Sequence, residues 1–526
     1  MALSNSRSSR LFHLVAFIFI SSCFITQLKG ARATAELASS TTVDDLEGFP
    51  DLYEASVMEL QEGLDAGLFT SVDLVTAYFA RIDEVNLKGP ALRPVLELNP
   101  SALQQAAALD AERKVSGKRS LLHGIPILLK DNIATIASEG MNTTAGSFSL
   151  LRSIVPGDAG VVKKLREAGA IILGKANLSE FAEFRGNLPP VGSGVSASIG
   201  LVTVTLGTET DGSITCPTDH NNLAGIKPTV GLTSRAGVLY AMASKVIPIS
   251  EHQDTVGPLC RSMTDAAIVL SVIAGKDPND NFTLAQPNVV PDYTQALNKG
   301  ALVGKRIGVP REVFLNPNGT DPSVLAAFEE ALDTIRSLGA TVVDPANLPS
   351  AQQIAASKNE TVVLDVDFKI QLNAWFAALI ENPSGVRNLA ELIAFDNANP
   401  ELEEPTNFTD QSEFIESEAT TGMNAQYFAS LAFDRELGAT SGIDAALKEN
   451  NLDALLLPAG GLTTVPAAIA GYPIVTVPLG FYPENVTIDS AGPLTVYPAP
   501  GVPFGLSFLG TGFSEFDLVG FAYAYE

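Results

Sequence analysis

The sequence has few cysteines, few histidines and a shortage of positive charge. Of its 3 cysteines, only Cys216 and Cys260 lie beyond the N-terminal region, so at most one disulfide can form and a disulfide scaffold is excluded. The 33 basic side chains are outnumbered by 59 acidic ones, which gives a formal net charge of −26. An acidic surface of this size repels phosphate backbones and anionic membranes, so no nucleic acid partner is expected.

Apolar segments long enough to cross a membrane are missing after the N-terminus. At that end, Arg7 and Arg10 precede an apolar run from Leu11 to about Leu28, and small residues follow it. This layout predicts a secretory signal peptide over residues 1–33, a secreted product and no stable membrane association after cleavage. A single membrane anchor is the alternative, although the run is short and interrupted by serines. Seven Asn-X-Ser/Thr sequons give weak further support to secretion: Asn142, Asn177, Asn281, Asn318, Asn359, Asn407 and Asn485.

The remaining composition is that of a folded globular protein, with 46% apolar residues and a mean hydropathy of +0.20. Residues 51–113 have helical periodicity, with Thr70 or Ser71 as a cap. We therefore expect residues 34–120 to form an N-terminal helical segment that packs on the core. Short apolar strands then alternate with helical stretches, which predicts an α/β domain over residues 121–526 with helices on both faces of a sheet.

Several elements of this domain can be placed in the sequence. HGIPILLKDN predicts a short buried strand that ends at Lys130, and Asp158 is predicted to cap a helix that continues through Leu165. A β-like run extends from Ile199 to Leu206, because β-branched and apolar residues dominate there. Residues 397–410 are rich in Pro, Asn and Glu and are expected to form an exposed loop.

The stretch from Gly207 to Pro228, GTETDGSITCPTDHNNLAGIKP, carries the strongest chemical signal. Glycine and aspartate at Asp211 and Gly212 tolerate a tight turn and leave little side chain around the hydroxyl of Ser213. Successive backbone N–H groups in such a turn can converge on an anion. Ser213 is therefore a candidate nucleophile with its anion donors in the same turn, and a purely structural Gly-Ser turn is the alternative.

Lys130 is the second candidate for chemistry. It ends an apolar strand and is followed by Asp131 and Asn132. Burial there disfavours the charged ammonium, so the lysine could serve as a general base. A surface lysine at the point where the strand meets solvent is the alternative.

Taken together, these stretches resemble the amidase signature family. The motifs are, in chain order, GIPILLKDN, TTAGS, AGAIILGKANLSEFA, GTETDGSI, GIKPTVGLTSRAGV and DTVGPLCRSMTDAA. The resemblance extends from about Asp44 to the C-terminus and is closest to the fungal, secreted-looking amidases of that family. It implies a large mixed β-sheet sandwiched between helices.

The resemblance also implies a mechanism. Members of the family hydrolyse carboxylic amides through an acyl-enzyme, using a Ser–cis-Ser–Lys triad and neither a metal nor an organic cofactor. On this chain, Ser213 matches the nucleophile and Lys130 the base. The oxyanion-hole amides match Thr210, Asp211, Gly212 and Ser213. A serine hydroxyl is a poor nucleophile until a base removes its proton, which explains the need for the lysine. A small-molecule amide is the implied substrate.

The chain departs from the family pattern at the bridging serine. A Gly/Ser-rich run resembling GGSSGGS is expected about two dozen residues before Ser213, but Pro189 and Pro190 stand there, and proline has neither a hydroxyl nor an N–H. The bridging serine is therefore absent from the sequence pattern, and Ser193 is the nearest substitute. An extra stretch, Leu239 to Val246, and a stop at Glu526 within an apparent helix also suggest a misassembled gene model or splice variant.

Other catalytic chemistries have less support. A Ser–His–Asp hydrolase could use His123, His220 or His252, but no G-x-S-x-G elbow surrounds Ser213. Zinc hydrolysis lacks an H-E-x-x-H motif. Cys216 has no obvious activating partner, so a buried thiol or half of a disulfide is expected.

Two further readings stay open at this point. A chain without its bridging serine could be a catalytically impaired relative that acts only as a binding protein. A member of the amidotransferase branch would instead supply ammonia within a tRNA-charging complex. The predicted signal peptide and the absence of a basic surface run argue against that branch.

Overall fold

The computed structural model describes residues 49–186, 192–236, 246–315, 320–490 and 495–526. The predicted signal peptide, the two prolines in place of the bridging serine and all but the last residue of the extra stretch Leu239 to Val246 lie outside the described residues. Within the described part, Pro50–Glu526 form one compact unit.

A mixed β-sheet of 11 strands organises the described residues, and its strands follow the order β1-β3-β2-β4-β6-β5-β10-β11-β9-β7-β8. Parallel pairing joins β3, β2 and β4 on one side and β9, β7 and β8 on the other, while the central strands pair antiparallel. The strands are β1 (Val95–Leu98), β2 (Pro126–Lys130), β3 (Ile171–Ala176), β4 (Val204–Glu209), β5 (Ala224–Lys227), β6 (Thr255–Cys260), β7 (Arg306–Gly308), β8 (Thr341–Val343), β9 (Ala454–Pro458), β10 (Ile474–Phe481) and β11 (Pro503–Leu509).

Helices cover this sheet. Every residue of β2, β3, β4, β5, β6 and β9 is buried, which requires packing on both faces of the sheet. The predicted α/β fold with helices on both sides of a mixed sheet is confirmed. The helices are α1 (Val57–Ala66), α2 (Ser71–Val85), α3 (Ala102–Ser116), α4 (Gly160–Glu167), α5 (Ser193–Ser198), α6 (Thr215–His220), α7 (Met263–Ile273), α8 (Pro322–Ser337), α9 (Ala351–Ala356), α10 (Asn359–Ala378), α11 (Leu389–Ala398), α12 (Pro400–Glu403), α13 (Ser412–Ala419), α14 (Ala425–Arg435), α15 (Asp444–Glu449), α16 (Val465–Ala470) and α17 (Glu515–Tyr525).

Local sequence explains where α2 begins. The hydroxyl of Thr70 accepts the N–H of Asp73, and the Asp73 carboxylate accepts the N–H of Thr70, which makes a capping box. The predicted cap is therefore confirmed. The apolar stripe that follows buries Leu74, Tyr78 and Ile82 against the core.

Strand β1 corrects the prediction that residues 51–113 are helical. Its four residues lie between Pro94 and Pro100 and pair antiparallel with β3. Proline disfavours helix in the residue before it and cannot continue a helix through its own position. The two prolines therefore isolate an extended segment between two helices.

The predicted strand Ile199 to Leu206 is also wrong in its bounds. Residues Ser193–Ser198 form α5, and Gly200 then adopts φ 65°, which breaks the extended conformation. The strand begins at Val204 and continues to Glu209. Gly207 therefore lies within the strand, and the turn around Ser213 begins after the strand ends at Glu209.

Two smaller predictions are wrong as well. Helix α4 has Ala159 at its N-cap, whereas Asp158 accepts the N–H of Ile136 at 2.8 Å and pairs with Arg166. The stretch 397–410 is not simply an exposed loop, because α12 lies within it and Glu403 is only 2% exposed. Pro400 suits the first turn of that helix, where its missing N–H costs no hydrogen bond.

The remaining features concern cysteines and membranes. Cys216 and Cys260 are both free thiols, so no disulfide joins them; Cys260 is buried, whereas Cys216 is only partly buried. Among the described helices, none combines the length and apolar character needed to span a bilayer.

Candidate active site

Lys130 lies at one edge of the sheet, at the end of β2. Because β2 and β4 are parallel, their carboxyl ends reach the same edge, and Lys130 Nζ donates a hydrogen bond to the carbonyl oxygen of Thr208 at 3.1 Å. The residue is 7% exposed, so the reading of Lys130 as a surface lysine is wrong. Burial lowers the pKa of Lys130 to about 8, although three carboxylates, those of Glu183, Glu209 and Asp254, oppose the shift.

Ser213 lies in the turn between β4 and α6. It is half-buried, and among the described residues no partner forms a hydrogen bond with its hydroxyl. Lys130 therefore contacts the strand that leads into the turn but not the serine itself. A proton can pass between the two side chains only through another group or after a small movement.

The carboxylate of Glu209 holds this turn closed. Its two oxygens accept the backbone N–H groups of Gly212, Ile214 and Thr215, at 2.9, 2.7 and 2.7 Å. Glu209 is 1% exposed, so these donors compensate a charge that is buried at the end of its strand. This role of Glu209 was not among the predictions, and its only signal in the sequence is a carboxylate four residues before Ser213.

Gly212 is required by the geometry of the turn. Its φ is 86°, a backbone conformation that residues with a side chain rarely adopt. A Cβ at this position would also lie 3.0 Å from Cys216 Sγ. Its N–H already donates to Glu209 Oε1, so of the four amides expected in the oxyanion hole this one is engaged within the turn. The Thr210 hydroxyl donates to Asp254 Oδ1 at 2.6 Å and fixes the start of the turn.

Ser193, the substitute for the bridging serine, is the first residue of α5. This helix packs against β2, β4 and α6, the elements that flank Lys130 and Ser213. The Ser193 hydroxyl oxygen is buried, and within the described residues it has no hydrogen-bond partner. Gly192 precedes it with φ 138°, and a Cβ there would collide with the carbonyl oxygen of Asn177.

Acidic side chains surround the far side of the turn. Burial raises the pKa of Asp211 to about 6, and a hydrogen bond from Thr464 opposes that shift. Burial and the charge of Asp211 raise the pKa of Glu360 to about 8, while Gln253 donates to its carboxylate at 2.7 Å. Burial therefore favours the protonated form of both carboxyls relative to free side chains.

Neither the three candidate histidines nor Cys216 is arranged to activate Ser213. Each histidine is bonded to another group, and the Cys216 thiol has a raised pKa. His123 bonds to the carbonyl oxygen of Leu109 in the core, and His220 pairs with Asp219 at the far end of α6. His252 contacts the Tyr427 hydroxyl, and burial lowers its pKa to about 4. Burial raises the pKa of the Cys216 thiol, which keeps it protonated.

A cavity of about 150 Å³ opens beyond α6. Asp219 lies at its wall, together with the Gly460–Gly461 loop after β9. The same loop continues to Thr464, which bonds to Asp211 in the nucleophile turn. Aromatic and apolar side chains complete the lining: Phe314, Leu315, Val324, Tyr482, Tyr497 and Phe504.

Comparisons with known proteins agree on one family. The amidase family profile matches residues 73–190 and 191–519. A protein of Arthroderma benhamiae named as an amidase is 39% identical over 91% of this chain and 86% of its own length. An amidase-named protein of Arabidopsis thaliana is 37% identical over 97% of this chain and 96% of its own length.

A solved structure gives the same answer. The native peptide amidase from Stenotrophomonas maltophilia superimposes with a TM-score of 0.79 and is 39% identical, covering 90% of this chain and 97% of that protein. These matches extend over nearly the whole chain, and they do not favour the reading of a catalytically impaired binding protein. The chain belongs to the amidase family and is a hydrolase of carbon–nitrogen bonds in carboxylic amides.

Proposed function

We propose that the chain cleaves its amide substrate through an acyl-enzyme on Ser213, with Lys130 as the base. The observation that carries this proposal is the state of Lys130. It is buried at the strand end beside the nucleophile turn, has one hydrogen-bond acceptor within the described residues, and has a pKa lowered to about 8. An amine with these properties loses its proton near physiological pH and can accept one from a serine hydroxyl.

The reaction then proceeds in two steps, acylation and deacylation of Ser213. In the first, Ser213 Oγ bonds to the amide carbonyl carbon while its proton passes to Lys130 and from there to the leaving nitrogen. The C–N bond breaks, and ammonia or an amine departs. In the second, water attacks the Ser213 ester and releases the carboxylic acid, with Lys130 again accepting and returning a proton. The backbone amides of Thr210, Asp211 and Ser213 stabilise the oxyanion in both steps, while the N–H of Gly212 stays bonded to Glu209.

Ser193 is the proposed bridge between Lys130 and Ser213. Its buried hydroxyl has no partner in the described part of the chain, and α5 packs against the elements that carry the other two groups. A hydroxyl both donates and accepts a hydrogen bond, so it can accept the serine proton while passing its own to the lysine.

The substrate is proposed to be an amide of a peptide-like acid. This rests on the similarity to the peptide amidase and on the cavity beyond α6, which offers aromatic walls and a carboxylate to a side chain next to the reacting carbonyl.

Ammonia release tests the proposal directly. The purified chain is incubated with a dipeptide carboxamide and, in parallel, with the matched dipeptide acid, and ammonia is measured. Release from the carboxamide alone, accompanied by Ser213 labelling with a serine-reactive fluorophosphonate, is the expected result. Turnover without labelling, or labelling at a different residue, would contradict the acyl-enzyme on Ser213.

The proposal extends to location and domain organisation. Residues 1–33 are proposed to be a signal peptide, followed by the helical segment 34–120 and the catalytic domain 121–526. Of the sequon asparagines that the structure describes, three are exposed and are the proposed glycosylation positions: Asn281, Asn407 and Asn485. Cell fractionation separates a secreted glycoprotein, which loses mass on endoglycosidase treatment, from an intracellular amidotransferase subunit.

A further inference from the structure

Three acidic side chains from two distant parts of the sequence meet in the interior. Glu180 belongs to the 3₁₀ segment Glu180–Glu183, Asp396 to α11 and Glu403 to α12. One carboxylate oxygen from each lies within 4.8 Å of the others. Their exposed fractions are 8%, 0% and 2%, so water does not screen these charges. We refer to these residues as the Glu180 cluster.

One guanidinium is the cation found at the cluster among the described residues. Arg185 Nη1 pairs with Glu180 Oε2 at 2.5 Å, and Arg185 Nε is 3.9 Å from Asp396 Oδ2. When all three carboxyls are ionised, they and the one guanidinium carry a formal charge of −2. Glu403 has additional hydrogen bonds from the Ser147 hydroxyl and the Ser149 N–H, but these groups carry no charge.

Asp396 supplies an independent sign that a ligand belongs here. Neither of its oxygens has a hydrogen-bond donor in the described part of the chain, although the side chain is fully buried. Glu180 Oε1, the oxygen that Arg185 does not bind, also has no partner there. Buried carboxylate oxygens are nearly always hydrogen-bonded or coordinated to a cation, because otherwise their desolvation is uncompensated.

We propose that the Glu180 cluster binds a divalent cation, most readily calcium. The charge of −2 matches one divalent ion, and oxygen atoms of carboxylates are the ligands that hard cations prefer. Calcium accepts irregular sets of such ligands, whereas magnesium requires a near-octahedral arrangement. The site is separate from the proposed reaction, and local sequence signals do not reveal it, because Glu180 lies more than two hundred residues before Asp396 and Glu403.

The cation would stabilise a strained part of the chain. Phe181, Ala182 and Glu183 have φ angles of 45°, 56° and 73°, a conformation that costs energy for residues other than glycine. A ligand that joins Glu180 to α11 and α12 holds this segment in place. Glu183, the last residue of this segment, also acts electrostatically on Lys130.

Isothermal titration calorimetry on the full chain tests the site. The protein is dialysed against a chelator and titrated separately with calcium, magnesium and manganese chloride. We expect one ion per chain with calcium tightest, and a loss of affinity of at least about tenfold in Asp396→Asn. The matched control is Asp434→Asn, because Asp434 is 3% exposed and has two unpartnered oxygens but lies outside the cluster. Its affinity for calcium should equal that of the wild type.

Two outcomes would overturn the proposal. The first is the absence of binding for all three cations at millimolar concentration, which would mean that protons neutralise the carboxyls. The second is equal affinity in the wild type and Asp396→Asn, which would place the ion elsewhere. If Asp396→Asn does not fold, Glu403→Gln replaces it. Thermal unfolding with and without calcium gives a readout that needs no activity, and the calcium-induced rise in Tm should disappear in either variant.

Discussion

Two buried lysines on neighbouring strands of the sheet have very different surroundings. Lys175 on β3 is fully buried, and its Nζ donates to the Ile133 carbonyl at 2.8 Å and the Thr143 hydroxyl at 3.1 Å. The carboxylate of Asp131 lies 3.7 Å away and completes the set. Lys130 on β2 has the Thr208 carbonyl, and no carboxylate of the described residues comes within 4.0 Å of it.

The difference separates a structural lysine from a chemical one. Burial lowers the pKa of both lysines. At Lys175 the charge of the neighbouring Asp131 opposes this shift, whereas Asp131 is not among the charges that act on Lys130. Two hydrogen-bond acceptors and the Asp131 carboxylate surround the Nζ of Lys175, whereas Lys130 keeps donors, or a lone pair when neutral, for another partner. A buried lysine therefore cannot be assigned as a base from its residue type and burial alone. The hydrogen-bond and ion-pair partners of its ammonium group distinguish the two cases.

The largest expected effect on turnover comes from replacing Ser213, the proposed nucleophile that Lys130 activates. Ser213→Ala removes the nucleophile, so we expect kcat to fall by a factor on the order of 10⁴ to 10⁶ and covalent labelling to disappear. The fold should persist, since the hydroxyl has no described hydrogen-bond partner. Kinetics, labelling and thermal unfolding check this. Cys216→Ala serves as the control for labelling at the neighbouring thiol and should stay labelled, whereas unchanged turnover in Ser213→Ala would refute the nucleophile.

A pair of substitutions addresses the comparison itself. Lys130→Met should lower kcat/KM by roughly 10²- to 10⁴-fold, because it removes the base. It should not destabilise the protein at pH 7, where burying a charged lysine of lowered pKa is unfavourable. Lys175→Met should instead cost about 3–5 kcal/mol of unfolding free energy, because Asp131 is left buried without its cation.

Kinetics and chemical denaturation of both variants measure these effects. The comparison fails if the two effects are exchanged, with Lys130→Met unfolding the protein and Lys175→Met abolishing turnover.

A smaller effect is expected at the proposed bridge. Ser193→Ala should reduce kcat by about 10- to 100-fold while leaving KM near its wild-type value, since the hydroxyl is proposed to transfer a proton and not to bind substrate. Ser196→Ala is the matched control on the same helix, because its buried hydroxyl bonds to the Pro94 carbonyl. If kcat is the same in Ser193→Ala as in Ser196→Ala, the proton does not pass through Ser193.

The smallest effect is expected at the clamp of the turn. Glu209→Gln keeps the shape of the side chain but loses the charge and one acceptor oxygen for the N–H groups of Gly212, Ile214 and Thr215. We expect a loss of about 1–3 kcal/mol of stability, since a buried donor is left unsatisfied. Denaturant unfolding measures it. A stability equal to that of the wild type would show that the turn does not depend on this carboxylate.

The sequence predicts the mixed α/β architecture because its signals are local. Apolar strands, the Thr70 cap and the strand that ends at Lys130 all depend on residues close together in the chain. The errors arise where local signals compete: Ile199 to Leu206 has strand composition, but Gly200 divides it between a helix and a later strand. Pro94 and Pro100 similarly conceal a strand between helices.

The site could be predicted in part for the same reason. Lys130 and Ser213 lie in recognisable motifs, whereas their partners are brought in by the fold. The charges of Glu183 and Asp254 act on Lys130 from separate segments of the chain. The Glu180 cluster shows the limit most clearly, because Glu403 belongs to a stretch whose composition suggests a solvent-exposed loop.

The central claim is that Lys130 is the base, and the pH dependence of kcat/KM tests it most directly. Because the pKa of Lys130 is lowered to about 8, the neutral form accumulates as the pH rises through that value. We predict that kcat/KM rises with pH and levels off above an apparent pKa of about 8, and that this rise is absent from the residual activity of Lys130→Met. A profile that is flat between pH 6 and 10, or an unchanged rise in Lys130→Met, would contradict the assignment.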